Sequence, residues 1–138
     1  QAAGIGGRIL WGVVSGTLLS ARWLFVLLGL AMAGASAAVA GFGPATPVWM
    51  LYTVAVLFGA SAIGWNGVML AELARIAPPG LAGIATGGSI FVTFAGVVLS
   101  PALFSAMVGL GLGYAMGFGM LAVLALMGAG FGFRHRVA

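Results

Sequence analysis

The sequence predicts an all-α integral membrane protein, a single membrane domain over residues 1–138 built from five transmembrane helices, and three observations predict it. The chain is 63% hydrophobic and 4% charged, against roughly a quarter charged in ordinary soluble domains, so it has too little polar surface to coat a globule in water. Its apolar residues come in blocks near the roughly 20 residues needed to cross a hydrocarbon core of about 30 Å. Glycine- and proline-bearing breaks separate those blocks. A soluble enzyme is the first class excluded.

Taken in order, the predicted spans cover residues 1–19, 23–41, 47–74, 81–107 and 114–133. The first runs from Gln1 to the polar turn Ser20-Ala21-Arg22, and the second from Trp23 to the breaker run Phe42-Gly43-Pro44-Ala45-Thr46. Pro47 opens the third, and Arg75-Ile76-Ala77-Pro78-Pro79-Gly80 closes it. The fourth carries Pro101 deep inside, where the missing N–H predicts a kink that neighbouring groups must re-satisfy. It ends in Val108-Gly109-Leu110-Gly111-Leu112-Gly113, and the fifth opens on Tyr114. Connectors this short predict that consecutive helices pack as antiparallel neighbours. Gln1 enters an apolar run with no basic leader or cleavage pattern, so the chain reads as a piece of a longer protein.

Charge supplies the orientation. Arg22, Arg75 and the Arg134/Arg136 pair fall on one side of the predicted bundle, and the opposite connectors carry no charge. Cations mark the cytoplasmic side, which places the C-terminus there, in a bacterial inner membrane. Trp49, Tyr52 and Tyr114 fall near the outer interface and Trp23 near the inner one, where amphipathic rings settle. The net charge of +4 does not indicate nucleic acid, because the cations are dispersed rather than clustered. There is no cysteine, and His135 stands alone, so neither a disulfide, a thiolate nucleophile nor a metal cluster is expected. With a single carboxylate, no acid–base constellation forms; no enzyme activity and no cofactor are expected.

Glycines recur at small-xxx-small spacing, as in Gly12/Gly16, Gly83/Gly87, Gly109/Gly113/Gly117 and Gly128/Gly132, which predicts close helix contacts there. Polar residues inside the spans must face protein or a water-filled cavity. Arg8 shares one stripe of the first helix with Gly4, Trp11 and Ser15. The third helix carries Ser61, Trp65 and Asn66, and at its end Glu72, three residues before Arg75 and so spaced for a surface ion pair. The fourth carries Thr86, Ser89, Thr93 and Ser100 in line with Gly96. The second has only Ser36 in its apolar stretch, and the fifth nothing more polar than Tyr114 at its mouth. The first, third and fourth helices are therefore expected around an aqueous path, with the second and fifth as an outer, lipid-facing wall. The hydroxyls of Ser15, Ser61, Thr86, Ser89 and Thr93 either line that path or bond back to the carbonyl one turn earlier. Asn66 either bridges two helices or meets a solute.

Arg8 is the sharpest signal. A guanidinium within the membrane costs about 2.5–3.5 kcal/mol on the insertion scale, and Arg8 lies roughly 16 Å from the predicted cytoplasmic end of its helix at helical rise. No carboxylate of the chain is expected at that depth. The planar fork suits carboxylate, nitrate or phosphate-like oxygens; the competing readings are a carboxylate outside this chain, or snorkelling toward the outer face.

The run Gly4-Ile5-Gly6-Gly7-Arg8-Ile9-Leu10-Trp11-Gly12-Val13-Val14-Ser15 resembles the eighth helix of a major facilitator superfamily transporter. Gly64-Trp65-Asn66-Gly67-Val68, Ala71-Glu72-Leu73-Ala74, Pro78-Pro79 and Gly83-Ile84-Ala85-Thr86-Gly87 are similar to the tenth helix, its cytoplasmic loop and the opening of the eleventh. The resemblance implies helices eight to twelve of a twelve-helix fold whose other half is a necessary partner, with the eighth, tenth and eleventh toward the cavity. It also implies that Arg8 matches an arginine that contacts substrate in anion-carrying branches such as the nitrate/nitrite and monocarboxylate porters. Gly16 and Thr17 depart from the family's Asp-Arg turn, which puts its gating ion pair in doubt. The function expected is secondary transport of a small anion by alternating access, with Arg8, Trp11, Trp65 and Asn66 at the site and no proton carrier at depth in this chain. The alternatives are efflux of lipophilic or neutral solutes, or a non-transporting scaffold that assembles through its glycine faces.

Overall fold

A computed structural model describes residues 2–134 and is all-helical, with no strand among them. The helices are α1 (Ala2–Thr17), α2 (Ala21–Ala40), α3 (Val48–Ile76), α4 (Ala82–Gly109) and α5 (Gly113–Arg134). Within α2 to α5 lie four stretches long and apolar enough to cross a membrane, whereas the apolar part of α1, Ala2–Ser15, is shorter. The first span thus ends two residues earlier than expected, as the backbone turns through Leu18, Leu19 and Ser20 into α2. His135 and Arg136 lie outside the described residues.

Local chemistry explains each helix end. Ala77 takes an extended conformation (φ −65°, ψ 142°), as a residue before proline must, and this stops α3. Pro78 to Leu81 then form a type II turn closed by Leu81 N–H to the Pro78 carbonyl at 3.0 Å, with Gly80 at φ 81° in the position where only glycine sits without strain. At the end of α4, Gly111 is left-handed (φ 81°). Leu112 N–H there reaches the Met107 carbonyl and Gly111 N–H the Val108 carbonyl, the paired bonds of a Schellman cap. Between α2 and α3, Thr46 closes the connector by accepting from Gly43 N–H through Oγ1 at 2.9 Å. Through Pro101, α4 continues unbroken as helix.

Packing departs from the simple hairpin expectation. The dominant pairs are α2 with α5, α1 with α3, and α2 with α3; α1 and α2, though consecutive, barely touch, and α4 meets α3 and α5 only lightly. A three-residue connector ties helix ends together without aligning their faces, so the partner is chosen by surface shape. Along α1 and α3 that shape is visible: Gly59 lies beside Ala3, Ala60 against Gly7, and Gly64 against Trp11, so the two helices run parallel. The core at this end is Leu24, Leu28 and Val68, with Trp11, Val14, Phe25 and Trp65 packed on it.

The glycine pairs singled out by spacing are mostly not the close contacts. Gly12, Gly83, Gly87, Gly109, Gly113 and Gly128 face open space; Gly117 meets Phe104, and the tight approaches are otherwise made by Gly4, Gly7, Gly29 and Gly64. The surroundings of Gly16 and Gly132 lie outside the described residues. Alanine does much of the work that glycine was expected to do: Gly29 meets Ala125 and Ala129, and Gly7 meets Ala60, because a methyl group also lets backbones approach.

The second helix is likewise not a simple wall. It holds the largest share of buried residues, Leu24, Val26, Leu28, Ala33, Ala35 and Ser36, and Ser36, the polar residue of its apolar stretch, is fully buried with Oγ unpaired among the described residues. Bare apolarity cannot separate a lipid face from a protein face, since lipid tails are as apolar as leucine. The two helices expected as a lipid-facing wall, α2 and α5, pack closely against each other. By contrast α4 buries no residue, and its Ile84, Phe91 and Val98 are 73%, 75% and 72% exposed.

Candidate functional site

Arg8, Asn66 and Thr93 come together around one cleft of about 730 Å³ between α1, α3 and α4. Their placement follows from the α1–α3 seam. Gly4, Gly7 and Trp11 form the face of α1 applied to α3, and Arg8, one residue on from Gly7, falls at the flank of that face about 100° round the helix. On α3, Gly64 is the contact residue, and Asn66, two positions on, turns out of the seam toward α4. Thr93 completes the site from α4, where Ser89, one turn earlier, also touches α3, its Oγ lying 3.6 Å from Met69 Sδ.

The polar side chains of this cleft are a guanidinium, which only donates, a carboxamide, which donates and accepts, and a hydroxyl. Among the described residues, neither Arg8 nor Asn66 has a hydrogen-bond partner, so the guanidinium and carboxamide donors are available. The expected alternative of Asn66 bridging two helices is not what the structure shows. Thr93 spends its O–H on the Ser89 carbonyl at 2.9 Å and keeps only its lone pairs. Val97, on the same wall, has a carbonyl without its helical partner, because Pro101, four residues on, has no N–H. Aliphatic and aromatic side chains, including Ile5, Ile63, Ile90 and Phe94, line the rest.

The remaining expected site residues lie elsewhere. Trp11 sits in the α1–α3 interface, its indole N–H donating to the Ala60 carbonyl at 3.0 Å. Trp65 and Ser61 line a separate, almost wholly apolar groove of about 440 Å³ between α2, α3 and α5. There the Trp65 N–H donates to Ala62 O at 2.8 Å and the Ser61 hydroxyl lies 2.8 Å from Leu57 O. Ser15 and Thr86 also bond back, to Gly12 O and Ala82 O. The back-bonding alternative therefore describes Ser15, Ser61, Thr86 and Thr93, with Thr93 also lining the cleft.

Glu72 and Arg75 form the expected ion pair, with Nε to Oε2 at 2.8 Å and Nη2 to Oε1 at 2.5 Å. Arg75 is 71% exposed, so the pair lies at the helix surface. Arg22 stacks over the Trp23 ring, 5.7 Å from its centroid. No group of three metal-ligating side chains occurs among the described residues. The residue that sequence reasoning missed is Val97, which lines the cleft four residues before Pro101. Comparison with known proteins finds no match: no family model fits the chain, and neither a curated protein nor a solved structure is significantly similar to it.

Proposed function

We propose that this chain is the C-terminal helical part of a secondary transporter of the major facilitator type, moving a small anion by alternating access around a midplane site. The observation that carries the reading is the convergence of Arg8 and Asn66, both without internal partners, on one cleft with Thr93. A guanidinium in an apolar wall is costly, and an anion held in its planar fork offsets that cost. Arg8 holds the anion and Asn66 donates a second hydrogen bond, while Trp11 sets the α1–α3 spacing on which their separation depends. The unburied surface of α4 faces the other half of the transporter. Arg22 and Arg75 mark the cytoplasmic side of a bacterial inner membrane, with the C-terminus on that side.

The test is uptake into vesicles reconstituted with the complete native protein, using labelled nitrate, acetate, pyruvate and 2-hydroxybutyrate. Arg8→Gln should reduce saturable uptake at least about tenfold, as expected for loss of a charge-assisted hydrogen bond. Undiminished uptake by a well-folded Arg8→Gln protein would overturn the reading. The apolar groove beside Trp65 favours a second reading, efflux of a lipophilic solute with Arg8 structural. That reading predicts drug-like substrates whose export Arg8→Gln leaves intact.

A further inference from the structure

We propose that Met69 and Ser89 are the positioning pair of the Arg8 cleft: by crossing from α4 to α3, the Ser89 hydroxyl sets the rotation and register of α4, and so decides which residues close the cleft opposite Arg8 and Asn66. The inference rests on the anion reading for what the cleft holds, and adds how its third wall is placed. A serine or threonine inside a helix ordinarily returns its hydroxyl to a carbonyl one turn earlier, and Ser15, Thr17, Thr53, Ser61, Thr86 and Thr93 all do so. Ser89 is the exception. Its Oγ lies 3.6 Å from Met69 Sδ, and among the described residues this is the one side-chain hydrogen bond between α4 and another helix.

The bond sits where two walls of the cleft converge. Asn66, three residues before Met69, and Leu70, next to it, line the cleft from α3; Ile90, next to Ser89, and Thr93, four residues on, line it from α4. Met69 and Ser89 stand behind these neighbours and act through them. At roughly 5 Å per helical turn, the bond lies one turn nearer the α3–α4 connector than Asn66 and Thr93 do. Ser89 also holds Thr93 directly, since its carbonyl accepts the Thr93 O–H at 2.9 Å. A chain of bonds thus runs from Met69 through Ser89 to a side chain that lines the cleft. Because α4 meets α3 only lightly, one directional bond, made by a flexible and unbranched thioether, carries a large share in fixing the azimuth of α4. Held so, Ile90 and Phe94 screen Arg8 from water, and a charge-assisted hydrogen bond to an anion is stronger in the drier site.

The test alters the acceptor in two opposite ways in the complete protein. Met69→Leu keeps the volume and removes the acceptor; Met69→Gln keeps the length and supplies a stronger one, a carboxamide oxygen. Spin labels attached at Leu10→Cys on α1 and Phe91→Cys on α4, both exposed positions, report the distance across the cleft, and calorimetry with nitrate and acetate reports anion affinity. Met69→Leu and Ser89→Ala should each broaden the distance distribution and weaken anion binding about threefold, the worth of a modest hydrogen bond. Both substitutions together should do no more than either alone, and Met69→Gln should match the native protein in both readouts. The inference is overturned if leucine loses nothing, if glutamine fails to preserve what leucine loses, or if the distance responds while anion affinity does not. If neither anion binds even the native protein, the anion reading fails, and the distances alone decide whether the pair places α4.

Discussion

Adding one methyl group at Gly7 tests the seam that sets the site. A Cβ built there lies 2.8 Å from the Ala60 carbonyl oxygen and 3.0 Å from Ala60 Cα. Both are backbone atoms, so no side chain can swing away, and α1 must lift off α3 to make room. Overpacking of this kind costs about 1–3 kcal/mol. The same substitution also brings up to about 1 kcal/mol of helix propensity, which would blur the measurement if taken alone. Gly12 on the same helix removes that ambiguity, because a Cβ there meets nothing within 4 Å. Gly12→Ala therefore carries the propensity gain without the clash, and Gly7→Ala should be less stable than it by about 1–3 kcal/mol. The assay is reversible unfolding of the complete protein in mixed micelles with a rising fraction of sodium dodecyl sulfate, followed by circular dichroism. A Gly7→Ala protein as stable as Gly12→Ala would refute the parallel α1–α3 contact and, with it, the spacing that brings Arg8 to Asn66.

Two further outcomes are expected in the same assay. Trp11→Phe keeps an aromatic body beside Gly64 but removes the indole donor to the Ala60 carbonyl, and should cost about 0.5–1.5 kcal/mol; an unchanged midpoint would mean that the bond contributes nothing. Gly111→Ala places a side chain at φ 81°, where an L-residue pays about 1–2 kcal/mol, so stability should fall by about that amount, whereas Gly109→Ala, in open space, should not destabilise.

The helix spans were legible because their signals are local. Apolar length and the breakers Pro78-Pro79-Gly80 and Gly111 place α3, α4 and α5 within two residues of where they lie. Arg8 and the Glu72–Arg75 pair were legible too, since one ionic residue among apolar neighbours, or two at a helical spacing of three, needs no knowledge of the fold. Helix partnership was legible only in part: the polar residues grouped α1, α3 and α4, which do line one cleft, but not the faces by which they meet. That α1 meets α3 rather than α2 depends on Gly7 and Ala60 fitting each other, a property of two surfaces at once. Spacing alone also could not separate Trp11 and Trp65 from the cleft, because each lies on a helix that lines it; only the rotation set by Gly7 and Gly64 turns both indoles away. The burial of α2 was hidden for a different reason: leucine facing protein and leucine facing lipid look the same in a sequence.

The light contact of α4 with its neighbours has a mechanical consequence for the cleft. Two of its walls behave as one jaw, since α1 and α3 are locked backbone to backbone and the Trp11–Ala60 bond pins their register. The opposing jaw is a long rod held chiefly near its ends: Ser89 touches Met69 toward one, and Phe104 nests against Tyr114 and Phe118, with ring centroids 6.1 and 5.5 Å apart, toward the other. The contacts on the α1–α3 side set the separation of Arg8 from Asn66, while Thr93 and Phe94 bound the cleft from a helix that buries no residue. On the proposed anion reading, a charged headgroup would meet the locked pair and a hydrocarbon body the lightly held helix, so anions with one headgroup and bodies of different girth are expected to share this cleft.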